Sequence, residues 1–124
     1  MNYGFIKVAS AVPSVKVADC KYNVEQIEQQ IILAEGQGVE IIVFPELSLT
    51  GYTCQDLFRQ NLLLETTESA MLMLLDFTRQ LNIISIVGLP IAVGDLLLNC
   101  AAIIQKGQIL GIVAKEYLPN YNEF

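Results

Sequence analysis

No histidine and no tryptophan occur among the 124 residues of this chain. The first absence removes every mechanism that needs an imidazole base and every zinc site built on histidine. Basic residues are scarce: seven Lys and Arg stand against thirteen Asp and Glu, a net charge of −6. A polyanionic nucleic-acid backbone is therefore a poor partner. Charge of either sign is thin, at 16% against about 25% in ordinary domains. Uninterrupted apolar runs are lacking all the same. A membrane span needs about 18 apolar residues, whereas Met71–Leu75 is flanked by Glu68 and Asp76, and Ile83–Val93 contains Ser85, Gly88 and Pro90. No membrane partner is expected. The opening Met1-Asn2-Tyr3-Gly4-Phe5-Ile6-Lys7-Val8 has neither the basic start nor the apolar stretch of a signal peptide. The three cysteines, Cys20, Cys54 and Cys100, are widely spaced and odd in number. That pattern fits neither a disulfide framework nor a metal site, and it places the chain in a reducing cytoplasm.

Apolar residues are abundant, at 53%, with a mean hydropathy of +0.48, which argues against disorder. The mass of 13.7 kDa suits one domain. Phe5–Val12 alternates as a strand and is ended by Pro13. Asn23–Glu35 has helical spacing, with Val24, Ile27, Ile31 and Ala34 on one face, Asn23 as N-cap and Gly36 and Gly38 at the end. Glu40–Phe44 is a short run with Ile41, Ile42, Val43 and Phe44 uninterrupted, typical of a strand buried on both faces. An irregular segment with Gly51 precedes a second helix over Leu62–Leu81. Ile83–Leu89 reads as a strand stopped by Pro90, and Asp95–Gln105 and Gln108–Lys115 as an antiparallel pair turning at Lys106-Gly107. The order β-α-β-loop-α-β-β-β predicts an α/β fold.

Two positions stand where chemistry is usually built. Glu46 follows the buried strand and is preceded by Pro45, which restrains the backbone before it. Ligand sites of open α/β sheets lie at such strand ends, and an apolar setting there suits a general base working near neutral pH. Taken alone, Glu46 is more often a solvated turn residue or the cap of the next helix. Lys115 ends the apolar strand Ile109–Ala114, where a cation would stabilise a developing oxyanion. Taken alone it is more often a surface lysine. Met71-Leu72-Met73-Leu74-Leu75 reads as packing.

Together the two segments say more. Val43-Phe44-Pro45-Glu46-Leu47-Ser48-Leu49-Thr50-Gly51-Tyr52, followed by Cys54-Gln55-Asp56-Leu57-Phe58, resembles the first signature of the nitrilase (carbon–nitrogen hydrolase) superfamily. Lys115-Glu116-Tyr117-Leu118-Pro119-Asn120-Tyr121-Asn122-Glu123-Phe124 resembles a second signature, that of the glutamine-hydrolysing branch that serves NAD+ synthesis. The resemblance implies a nitrilase-like αββα sandwich, of which residues 1–124 are the N-terminal part, and a Glu-Lys-Cys triad. Glu46 corresponds to the general base and Lys115 to the lysine that stabilises the oxyanion. Tyr52, Tyr121 and Phe124 resemble residues lining the glutamine pocket; the alternative for the tyrosines is an amphipathic place at the core edge. The branch needs no cofactor in this domain. It passes ammonia to a C-terminal synthetase domain, which uses ATP and Mg2+ to amidate nicotinic acid adenine dinucleotide, and it forms homo-oligomers through its nitrilase domains.

One departure follows. The family's nucleophilic cysteine lies downstream of the second signature, beyond Phe124, so none of Cys20, Cys54 and Cys100 is promoted to it. Each reads as a small apolar residue, with Cys54 the one nearest the site. The expectation is that the 124-residue chain alone is inactive. An amidase or carbamoylase of the same superfamily, and a non-catalytic α/β assembly module, are the competing readings.

Overall fold

The computed structural model describes residues 4–17, 19–51, 61–94 and 96–117, with the side chains of 61–63, 96–97 and 115–117 outside that description. Strand β1 is Val8–Ser10, helix α1 Cys20–Gly36, β2 Ile41–Val43, α2 Asn61–Phe77, β3 Ile84–Val93, β4 Leu96–Gln105 and β5 Gln108–Tyr117. A 3-10 turn over Thr78–Gln80 extends α2. The expected element order is the observed one. The five strands form one sheet in the order β1-β2-β3-β4-β5. The first three run parallel, and β3–β4 and β4–β5 are antiparallel.

This topology puts both helices on one side. Parallel crossovers share one hand, and the sheet grows in a single direction from β1 to β3, so α1 and α2 land on the same face. Their buried stripes meet there. Val24, Ile27, Ile31 and Ala34 of α1, the face expected from spacing, are all buried, as are Ala70, Met71 and Leu74 of α2. They pack with Ile42, Val87, Leu89, Ala102 and Ile104 of the sheet. Each large buried side chain stabilises the core by about 1.5–3 kcal/mol. Leu72 and Met73 lie on the outer side of α2, exposed, so only part of the methionine-rich stretch is packing. On the other face of the sheet Val8, Val43 and Val113 are exposed, and no described element covers them.

Three local expectations are corrected. Helix α1 begins at Cys20, and its N-cap is Asp19, whose side chain accepts from the Tyr22 N–H at 3.0 Å. Asn23 lies inside the helix and is completely buried; its amide has tertiary partners instead. Strand β1 pairs over only three residues, because alternation marks sidedness, whereas a strand's length is set by its neighbour. Strand β3 passes through Pro90 to Val93. In an antiparallel pair both backbone groups of a residue point to the same side. Gly88 points away from β4, since its N–H and C=O both bond to the 48–49 segment. Pro90, two residues on, has the same orientation, so its missing N–H removes no bond to β4. The Lys106-Gly107 turn forms as expected, with φ of 51° and 78°, the positive pair that a two-residue hairpin requires.

Candidate active site

The site is built where β2 stops early. After Val43 the ladder to β3 continues for one bond, from the Phe44 N–H to the Ile86 carbonyl at 2.9 Å. The chain then turns through residues 46–50. Gly88 of β3 would be left with two unpaired backbone groups, and the turn supplies both partners. Its N–H donates to Ser48 Oγ at 3.1 Å, and its carbonyl accepts from the Leu49 N–H at 3.1 Å. Leu47 takes a left-handed conformation with φ of 51° while fully buried. Such a backbone costs a bulky residue about 1–3 kcal/mol and persists where its surroundings impose it. Here the Leu47 carbonyl accepts from Thr50 N–H at 3.1 Å and Gly51 N–H at 2.7 Å.

The other side of the turn rests on α1. Asn23 Nδ2 donates to the Leu49 carbonyl at 3.0 Å and to the Lys16 carbonyl at 2.8 Å, and Asn23 Oδ1 accepts from the Lys16 N–H at 2.7 Å. Glu46 is half-buried and opens the turn whose residues 48–49 these two anchors hold.

Lys115 lies on the same rim of the sheet. Strand β5 runs in the direction of β2 because two antiparallel steps separate it from β3. The carboxyl ends of β2 and β5 therefore share one rim. Pairing passes from Cys100↔Ala114 to Asn99↔Glu116, so Lys115 is the extra residue of a β-bulge, a device that re-aims side chains beside active sites. With strands about 4.8 Å apart, β2 and β5 are roughly 14 Å apart, and the lean of the Glu46 turn over β3 shortens the span to about 10 Å. The Lys115 side chain lies outside the described residues, as do Tyr52, Cys54, Tyr121 and Phe124. Asn99, opposite Pro90 and beside the bulge, is buried, and its Oδ1 has no hydrogen-bond partner among the described residues.

The described cysteines stand apart from this chemistry. Cys20 is buried at the start of α1, its Sγ 3.6 Å from Thr67 Oγ1. Cys100 opposes Leu89 and so shares its face, opposite to that of Gly88. Burial pushes its thiol pKa up, which disfavours the nucleophilic thiolate.

Comparison with known proteins decides the family. The carbon-nitrogen hydrolase profile matches residues 7–123. The chain belongs to the carbon-nitrogen hydrolase family. Among similar proteins, the glutamine-dependent NAD(+) synthetase of Mycobacterium leprae is 34% identical over 123 residues, covering 99% of this chain and 18% of that protein. The Aquifex aeolicus protein of the same name is 41% identical over 108 residues, 87% of this chain and 19% of its own length. The chain thus spans less than a fifth of either relative. The crystal structure of a glutamine-dependent NAD(+) synthetase from Cytophaga hutchinsonii superposes with a TM-score of 0.83 at 30% identity, covering 93% of this chain and 20% of that one.

Within this carbon-nitrogen hydrolase chain, motif reasoning points to Glu46 and Lys115 but misses Ser48, Gly88 and the tertiary role of Asn23. One signal was available: a glycine inside an apolar strand marks close backbone approach. For Asn23 no signal existed, since an asparagine near a helix start reads first as a cap.

Proposed function

We propose that this chain is part of a glutaminase domain that supplies ammonia to NAD+ synthesis in a longer glutamine-dependent NAD+ synthetase. The observation that carries this reading is the match to relatives of that name, at 34% and 41% identity over 99% and 87% of the chain. The sheet topology, with the β2 and β5 ends on one rim, supports it.

In this reading a cysteine outside the chain gives its thiol proton to Glu46 and attacks the side-chain amide carbon of glutamine. The Lys115 ammonium stabilises the resulting oxyanion. The C–N bond breaks, Glu46 returns the proton to the leaving nitrogen, and ammonia departs. Water, activated by Glu46, hydrolyses the thioester to glutamate and the free thiol. Tyr52, Tyr121 and Phe124 line the glutamine pocket. A synthetase domain, with ATP and Mg2+, uses the ammonia to amidate nicotinic acid adenine dinucleotide. The enzyme works in the cytoplasm as a homo-oligomer joined through its nitrilase-like domains, and the 124 residues alone are inactive. No helix among the described residues is long and apolar enough to cross a membrane.

The test is made on the full-length protein. Glu46→Gln and Lys115→Ala each abolish glutamine-driven NAD+ formation and spare ammonia-driven formation. Loss of both activities, or of neither, sinks the assignment.

A further inference from the structure

We propose that Gly88 and Asn23 are positioning residues that set where the Glu46 carboxylate stands. The inference rests on the reading of Glu46 as the general base and adds how that base is held. Two elements distant in sequence grip the same short turn on opposite sides. From β3, Gly88 uses its N–H on Ser48 Oγ and its carbonyl on the Leu49 N–H, both at 3.1 Å. From α1, Asn23 holds the Leu49 carbonyl at 3.0 Å. Leu49 is thus bonded through its N–H to one element and through its C=O to the other. Glu46 lies three residues before it.

Gly88 also makes the close approach possible. A Cβ at this position would collide with the Leu47 amide nitrogen and stand 2.8 Å from the Pro45 carbonyl oxygen and 3.0 Å from the Glu46 carbonyl carbon. All three are backbone atoms, one of Glu46 itself and one from the residue on each side of it, so no side-chain rotation relieves the clash. Ordinary non-bonded contact is about 3.5 Å, so a methyl group moves the Glu46 backbone by roughly 1 Å. Asn23 acts by hydrogen bonding alone. It is completely buried, and aspartate, its isostere, keeps the acceptor for the Lys16 N–H but loses the donor to Leu49 and Lys16. A shift of about 1 Å in a catalytic group costs on the order of 100-fold in rate.

The experiment uses the full-length protein with Gly88→Ala, Asn23→Asp and Glu46→Gln. Glutamine-driven kcat, the KM for glutamine, and the pH dependence of kcat/KM are measured, with ammonia-driven synthesis alongside. For Gly88→Ala and Asn23→Asp, glutamine-driven kcat is expected to fall about 10- to 100-fold, with KM within about twofold and ammonia-driven synthesis unchanged. The acidic limb of the profile moves by about half a pH unit or more, because the limb reports the base in its surroundings. A merely structural role lowers the amount of folded domain, which scales the curve and leaves the limb in place; that outcome overturns the proposal. Should Gly88→Ala not accumulate as folded protein, the isosteric Asn23→Asp decides. Glutamine-driven turnover that survives Glu46→Gln takes down the reading of Glu46 and the positioning role with it. Turnover abolished by Glu46→Gln but parental in both other variants removes the positioning role alone.

Discussion

The Cα of Val17 stands 3.0 Å from where a Cβ on Gly51 would be. Gly51 closes the turn that carries Glu46, and its φ of +90° lies in the region that favours glycine. Any side chain there meets backbone of the segment leading into α1 and adds left-handed strain. Gly51→Ala is therefore expected to destabilise the fold by about 1–3 kcal/mol, read as a lower midpoint in chemical unfolding. A midpoint equal to the parent's would show that the turn does not need this approach.

The roles proposed for Glu46 and Lys115 predict an order of effects. A general base contributes about 10²–10⁴ in rate, and one electrostatic partner of an oxyanion about 10²–10³. Glu46→Gln is thus expected to lower glutamine-driven kcat at least as far as Lys115→Ala does, in steady-state assays of the full-length protein. The reverse order would exchange the importance of the two roles.

The pH dependence of stability has a predicted sign at Glu28. This side chain shares a groove on the outer side of α1 with Glu25, Ile32, Leu33 and Phe77. Burial first, and the Glu25 charge second, raise its pKa above the ordinary carboxylate value. A raised folded-state pKa means that the protonated form is favoured by folding. Its contribution is present below the unfolded-state pKa and is lost as pH rises through the folded one. Glu28→Gln, neutral at all pH values, should therefore be more stable than the parent at pH about 7, with the gain shrinking as pH falls through the carboxylate range. Thermal melts of both proteins across that range check this; a gain that grows on acidification refutes it.

The sheet face opposite the helices carries Val8, Val43 and Val113, the last two 39% and 54% exposed. Its edge strand β5 adds exposed Leu110. Apolar faces and long edge strands promote association. The 124-residue polypeptide by itself is expected to elute ahead of a 13.7 kDa monomer in size-exclusion chromatography, and Val43→Lys with Val113→Lys to shift it toward monomer. Monomeric elution of the parent at high concentration would contradict this.

Much of the architecture was legible because local rules and tertiary packing agree. The spacing of Val24, Ile27, Ile31 and Ala34 marks the face of α1 that is buried, and Lys106-Gly107 marks the hairpin turn. Errors arose where a residue's partners are distant in sequence. Asn23 is a plausible cap locally, yet Asp19 caps the helix and Asn23 is bonded to Leu49. Pro90 is a plausible strand stop, yet it sits where its missing N–H faces away from β4.

Sequence alone determined the element order, the apolar stripes and the two motif segments with Glu46 and Lys115, because each depends on residues close together in the chain. The tertiary structure decided which strand ends share a rim, that Lys115 falls on a register step, and that Gly88 and Asn23 grip the Glu46 turn. Those relations join groups tens of residues apart in the chain, and hydrogen bonds between them exist only once the sheet and helix α1 have packed.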